Sequence, residues 1–227
     1  MMPRAQAEAK TASGVEQVAM AARLGAEILV GRVDARAEMG RELARLQRRL
    51  GATVVLVTDD VAEAMTLAST VVVLQGGRVE QAGAPQALLD DPASRFVAGF
   101  VGVPPTTFLR GRVADSEGRS ALLEGIKAPV ALPLRSPLSR GQEVTLGLRP
   151  RHLRLADGEA ADAEGATLRV RADLAERLGE ASYLHGTLPD GTPVVAGRGA
   201  PEPGREARLR FDPAQALVFA RDGGRLR

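Results

Sequence analysis

Two lysines, two histidines and no cysteine stand among the 227 residues, and that inventory narrows the chemistry open to the chain. Without cysteine there is no thiolate metal site, no disulfide and no cysteine nucleophile. His152 and His185 are too few for a histidine-rich metal centre, and each reads most simply as a surface or strand-edge residue. A phosphate-cradling loop of the form G-x-x-x-x-G-K-[ST] needs a lysine framed by glycine and a hydroxyl residue. Lys10 is followed by Thr11 but preceded by Ala9, and Lys127 is followed by Ala128, so neither fits. No catalytic residue and no metal site are expected. Ser13-Gly14 reads as a turn, and Asp34 and Asp59 as helix N-caps, because a short carboxylate can accept from the first free N–H groups of a helix. Arg149 reads as a structural ion-pair partner rather than an anion ligand.

The elements that must position these residues show in the apolar spacing. Val18 to Leu24 suits a short helix and Ala26-Glu27-Ile28-Leu29-Val30 the start of a buried strand. After Asp34, residues Met39, Leu43, Leu46 and Leu50 fall on one helical face opposite Arg41, Arg45 and Arg48, and Gly51 supplies a left-handed stop. Thr53 to Val57 is a continuous β-branched run, the pattern of a strand covered on both faces. A second helix starts near Asp59 or Asp60 and runs through Met65 to Ala68. Gln75-Gly76-Gly77-Arg78 reads as a hairpin turn between Val71–Leu74 and Val79–Gln81. Pro85 and Pro92 each suit the first turn of a short helix.

Around Gly102-Val103-Pro104-Pro105 the helical periods stop. Short apolar stretches then alternate with Gly, Pro and Asp, the texture of an all-β sandwich or barrel, with a Pro189-Asp190-Gly191 turn as its sharpest local signal. The boundary falls there, giving domains 1–102 and 103–227. The second is expected to fold alone, while a 1–98 fragment, left with apolar strands lacking most of their sheet, is expected to oligomerise or precipitate. Thirty basic against 28 acidic residues give a net charge of +2, and 3% aromatics leave few stacking surfaces, so nucleic acid is not an expected partner. No apolar run approaches a membrane span, and the first residues carry no signal-peptide core, so a cytoplasmic location is expected.

The stretch Leu50 to Leu109, with Thr58-Asp59-Asp60, Glu63-Ala64-Met65, Gly76-Gly77-Arg78 and Arg95 to Phe100, resembles the end of the nucleotide-binding domain of importer-type ABC ATPase subunits, the maltose-importer family above all. Leu146 to Leu153, Leu178-Gly179, Leu188 to Pro193 and Phe211-Asp212-Pro213 resemble that family's accessory TOBE domain, a small oligomer-binding-type barrel. The resemblance implies an α/β remnant of a nucleotide-binding domain followed by an all-β OB-fold-like TOBE barrel. The family binds ATP and Mg²⁺. Here the resemblance places Ser13 and Gly14 at an eroded signature motif, Asp34 at the dimer-contact loop, and Asp59 where the family has its switch histidine. It finds no counterpart of the two catalytic carboxylates, since Ile28-Leu29-Val30 passes directly to Gly31. An ionised aspartate accepts hydrogen bonds and repels phosphate, so Asp59 opposes catalysis and nucleotide binding is not expected. What is implied is a non-catalytic structural or regulatory subunit. It would form a homo- or heterodimer, pair with a permease or an intact ATPase subunit, and reach the membrane only through such partners. The alternative is a TOBE-type module that senses a small ligand or a partner protein.

Overall fold

The computed structural model describes residues 36–124, 126, 129–156, 166–178, 181–197 and 204–227. The helix expected over Val18–Leu24, the strand at Ala26–Val30 and the residues Ser13, Gly14 and Asp34 lie outside the described residues. The chain divides into two compact units, Met1–Ala87 and Leu88–Arg227.

In the first unit, α1 (Arg36–Leu50) ends at Gly51, whose φ of 62° lets its N–H reach the Gln47 carbonyl at 2.9 Å. It packs against α2 (Val61–Leu67) at Gly40, where an added Cβ would stand 3.1 Å from Leu67 Cδ1. The cap of α2 is Asp60, which accepts from the Glu63 N–H at 3.0 Å; Asp59 precedes it, exposed. β1 (Val71–Gln75) and β2 (Arg78–Gly83) form the expected hairpin, turning through Gly76 and Gly77 at φ 55° and 78°, the paired left-handed residues of a type I′ turn. The strand expected at Thr53–Val57 does not form. No described residue offers it a neighbouring ladder, and a strand is defined by its partners as much as by its own residues.

Pro85 opens α3 (Pro85–Asp90) as expected. Pro92 opens no helix. The chain bends through Asp91 and Ala93 to an extended Ser94, which bridges Gly224 and caps α4 (Arg95–Phe100) by accepting from the Val97 N–H at 3.3 Å. The division into compact units falls at Ala87/Leu88, ahead of the change in texture at 102/103, because Leu88, Val97, Ala98 and Val101 are buried.

The second unit is all-β, with two antiparallel sheets sharing one core. One has the order β13-β12-β6-β3-β4-β5 and the other β10-β9-β8-β11-β7. The first comprises β3 (Thr107–Val113), β4 (Ser120–Leu123), β5 (Val130–Ala131), β6 (Glu143–Leu148), β12 (Leu217–Ala220) and β13 (Arg225–Leu226). The second comprises β7 (Arg154–Leu155), β8 (Ala166–Leu178), β9 (Ala181–Thr187), β10 (Pro193–Gly197) and β11 (Glu206–Phe211). Leu109, Val144, Leu146 and Val218 from one sheet meet Leu168, Val170, Leu184, Val194 and Leu209 from the other. Successive strand residues face opposite sides, so Phe108, Gly147, Leu217 and Phe219 point away from this core. On that outer face Ala98 of α4 joins Leu217, Phe219 and Phe108 in a second apolar cluster. Gly147 makes room for it, since a Cβ there would lie 3.1 Å from Phe219 and 3.2 Å from Phe108. β6 is therefore buried on both faces, where an ordinary sandwich strand alternates. Pro189-Asp190-Gly191 turns β9 into β10 as expected, with Asp190 accepting from the Thr192 N–H at 2.8 Å.

Candidate functional site

Of the four residues the resemblance places at a nucleotide site, Ser13, Gly14, Asp34 and Asp59, only Asp59 is described, and it stands exposed beside a helix cap. Among the described residues no group of three or more His, Asp or Glu could hold a metal ion. His185 Nε2 lies 2.7 Å from Glu176 Oε2 across the β8–β9 ladder, both side chains part-exposed. His152 sits in the 3-10 turn Pro150–His152; burial first, then the Arg151 charge, holds its imidazole below the ordinary histidine pKa. An open groove is lined by Arg112, Gln142, Glu143 and Arg221, and Glu143 accepts from Arg112 at 2.5 Å and lies 3.4 Å from Arg221. These charges satisfy one another.

Among the described residues the buried charged side chain is Arg149, 4% exposed at the end of β6. A guanidinium is a planar fork of five donors, able to reach oxygens in several directions at once. Here Nη2 donates to the Leu89 carbonyl at 2.8 Å, near the end of α3, and Nη1 donates to the Ala98 carbonyl at 3.1 Å and to Thr106 Oγ1 at 3.1 Å. Thr106 Oγ1 itself donates to the same Ala98 carbonyl at 2.8 Å. Carbonyls near helix C-termini lack intrahelical partners and carry partial negative charge, so a cation is the natural cap. Gly102 keeps the space open, since a Cβ there would stand 2.9 Å from Nη1. Desolvation, reinforced by the Arg151 charge and opposed by Asp90, pulls the Arg149 pKa down to about 10, which still leaves it charged at neutral pH. Arg151 donates to Asp90 at 3.2 Å, adding an exposed contact to the end of α3.

The arrangement is a clamp with no reacting group in it. One buried cation gathers the ends of α3 and α4 and the loop at Thr106 onto the barrel. The final residues add a second tie. Arg95 N–H donates to the Gly223 carbonyl at 2.8 Å, Arg225 N–H to that of Ala93 at 3.1 Å, and Arg227 holds Asp91 through two bonds of 2.9 and 3.0 Å. The ion-pair partner expected for Arg149 is replaced by two carbonyls and a hydroxyl. A charge set directly after the strand residues Val144 to Leu148 was the available signal, but Leu89, Ala98, Gly102 and Thr106 carry no mark of their role.

Residues 146–219 match the TOBE domain family. The sn-glycerol-3-phosphate import ATP-binding protein UgpC of Chromobacterium violaceum is 42% identical over 172 residues, covering 74% of this chain and 44% of that protein. The sulfoquinovosyl glycerol transport ATP-binding protein SmoE of Agrobacterium fabrum is 37% identical over 188 residues, 81% of this chain and 51% of that one. The chain thus spans about half the length of the curated relatives it matches. Among solved structures, the cytoplasmic molybdate-binding protein ModG aligns at a TM-score of 0.41 with 17% identity, over 49% of this chain and 93% of that one.

Proposed function

With a TOBE domain at residues 146–219 and homologues among importer ATP-binding subunits, we propose that this chain is a carboxy-terminal half of such a subunit, serving transport as a non-catalytic structural or regulatory part. The observation that carries the reading is the 42% identity to an import ATP-binding protein of which the chain covers only 44%. The first unit is then the α/β remnant of a nucleotide-binding domain. Ser13, Gly14, Asp34 and Asp59 are what it keeps of the nucleotide contacts. Neither lysine is preceded by glycine, and an exposed aspartate stands at the position of the switch histidine. Mg-ATP binding is therefore not part of the role. The partners are a permease and an intact ATPase subunit, met on the cytoplasmic face of the membrane; no described helix is long and apolar enough to cross it. The solute class follows the relatives, a glycerol conjugate or a sugar.

A co-purification tests this. The tagged chain, expressed with the permease and ATPase subunits of a glycerol-3-phosphate importer, is expected to be retained in the detergent-solubilised assembly. Free elution of the chain from an intact transporter would overturn the proposal and leave the ligand-sensing module as the better reading.

A further inference from the structure

His152 ends the 3-10 turn that follows β6, and its ring accepts a hydrogen bond that only one charge state allows. Arg151 Nε donates to His152 Nε2 at 3.0 Å. A guanidinium carries five donors and no acceptor, so the nitrogen that receives it must hold a lone pair. The ring is therefore neutral in this arrangement, with its proton on Nδ1, which is buried and has no hydrogen-bond partner among the described residues. The same arginine reaches α3, where Arg151 Nη2 donates to Asp90 Oδ1 at 3.2 Å. Burial and then Arg151 oppose a second proton on the ring, as does Arg149 at the end of β6, while the Gln215 carbonyl and Asp212, which caps the turn Pro213–Gln215, favour one. β10 packs on the His152 turn at Gly197, where a Cβ would stand 3.2 Å from the Pro150 carbonyl oxygen, and its residues carry no titratable group.

We propose that His152 is an acid-operated release for the C-terminal end of α3. With the ring neutral, Arg151 is fixed on both sides, by Nε2 of the imidazole and by the Asp90 carboxylate. A proton taken from solvent occupies the Nε2 lone pair and sets N–H against N–H, so the bond from Arg151 is lost and two cations stand side by side. Freed of its anchor and repelled by the imidazolium, Arg151 gives up its place on Asp90. The new charge also acts on Arg149, whose Nη2 holds the carbonyl of the neighbouring Leu89 at 2.8 Å. Both ties to the end of α3 weaken together, close to the division at Ala87/Leu88 where the chain passes from one compact unit to the other. The core between the two sheets is apolar and does not respond. Burial holds the ring below the ordinary histidine pKa of 6.5, so the release operates below that pH. The device needs neither nucleotide nor partner.

The test is a pH titration of the full chain, with the two imidazoles followed by nitrogen NMR and backbone amides by hydrogen exchange, corrected for the chemical rate at each pH. His185→Gln removes the other imidazole and assigns His152. The neutral ring is expected as the Nδ1–H tautomer. Amides of Leu88 to Asp90 should exchange about threefold to tenfold faster once His152 is protonated, the worth of one charged contact, while those of β6 and β12 hold. His152→Gln, which keeps a neutral acceptor and cannot titrate, should abolish that acid dependence, and Arg151→Gln should raise the His152 midpoint by removing the adjacent cation. A neutral ring protonated on Nε2 overturns the proposal, because it could not accept from Arg151. So does exchange at 88–90 that rises with acid equally in His152→Gln, or a His152 midpoint unmoved by Arg151→Gln. If His152→Gln also lowers protection in β6, the parent decides alone: exchange at 88–90 must change with the same midpoint as the ring, and a different midpoint overturns the proposal.

Discussion

Replacing Arg149 by Met removes the clamp while keeping the length and apolar stem of the side chain. The Leu89 carbonyl then loses its 2.8 Å donor, whereas the Ala98 carbonyl keeps the Thr106 hydroxyl at 2.8 Å, so one part-buried acceptor is left bare rather than two. A bare buried carbonyl costs about 1–3 kcal/mol, and losing a charged donor about 1.5–3 kcal/mol. Against this stands relief from burying a guanidinium whose Nε has no partner. The balance is a loss of about 2–4 kcal/mol. For a unit of this size that lowers the melting temperature by about 8–14 °C. Arg149→Lys keeps the charge but gives up the fork, and it should lose roughly half as much. Thermal unfolding of the full chain by circular dichroism reads both. An Arg149→Met protein as stable as the parent would refute the reasoning, because it would mean that desolvation cancels everything the clamp contributes.

Three more outcomes follow from the same packing. His152 has a folded-state pKa below its unfolded value, so its stabilising effect is full above about pH 6.5 and is lost as the pH falls below it. His152→Gln should flatten the decline in melting temperature between pH 7.5 and 5.5, and an unchanged slope would remove His152 from that account. Asp115, held down to about 2 chiefly by the Ser120 hydroxyl and then the Arg119 N–H, stabilises above about pH 4 and ceases to as the pH falls towards 2, so Asp115→Asn should melt with less pH dependence in that range. A fragment spanning 88–227 should melt cooperatively, while 103–227, stripped of Leu88, Val97, Ala98 and Val101, should lose about 4–8 kcal/mol and unfold or melt far lower; equal melting points would place the folding boundary at 102/103.

What was legible in the sequence was local chemistry. Gly51 stopped α1, Gly76-Gly77 turned the hairpin, Pro85 opened α3, and Pro189-Asp190-Gly191 joined two strands, because each outcome depends on residues within one turn of the signal. Thr53–Val57 looked as clear, yet a strand is a relation between segments and no described residue pairs with it. Pro92 carried the same local signal as Pro85 and lost to a non-local contact, the bridge from Ser94 to Gly224. The change of texture near Gly102 marks where helices give way to strands. The compact unit begins earlier because α4 covers the outer face of β6 and β12, and no pattern in residues 95–100 states what that helix lies against. Arg149 was visible as an arginine directly after the run Val144 to Leu148. Its partners lie 43 to 60 residues away, so capping of two helix ends could not be read from it.

The central claim, that this chain serves an importer without handling nucleotide, is tested most directly by equilibrium binding of a fluorescent ATP analogue with Mg²⁺ to the full chain and to its Asp59→His variant, with phosphate release measured in parallel. No saturable binding and no phosphate above the buffer blank are expected from either protein, since histidine at that one position supplies neither a phosphate loop nor a metal carboxylate. Saturable binding by the parent chain, or turnover gained by Asp59→His alone, would contradict the account.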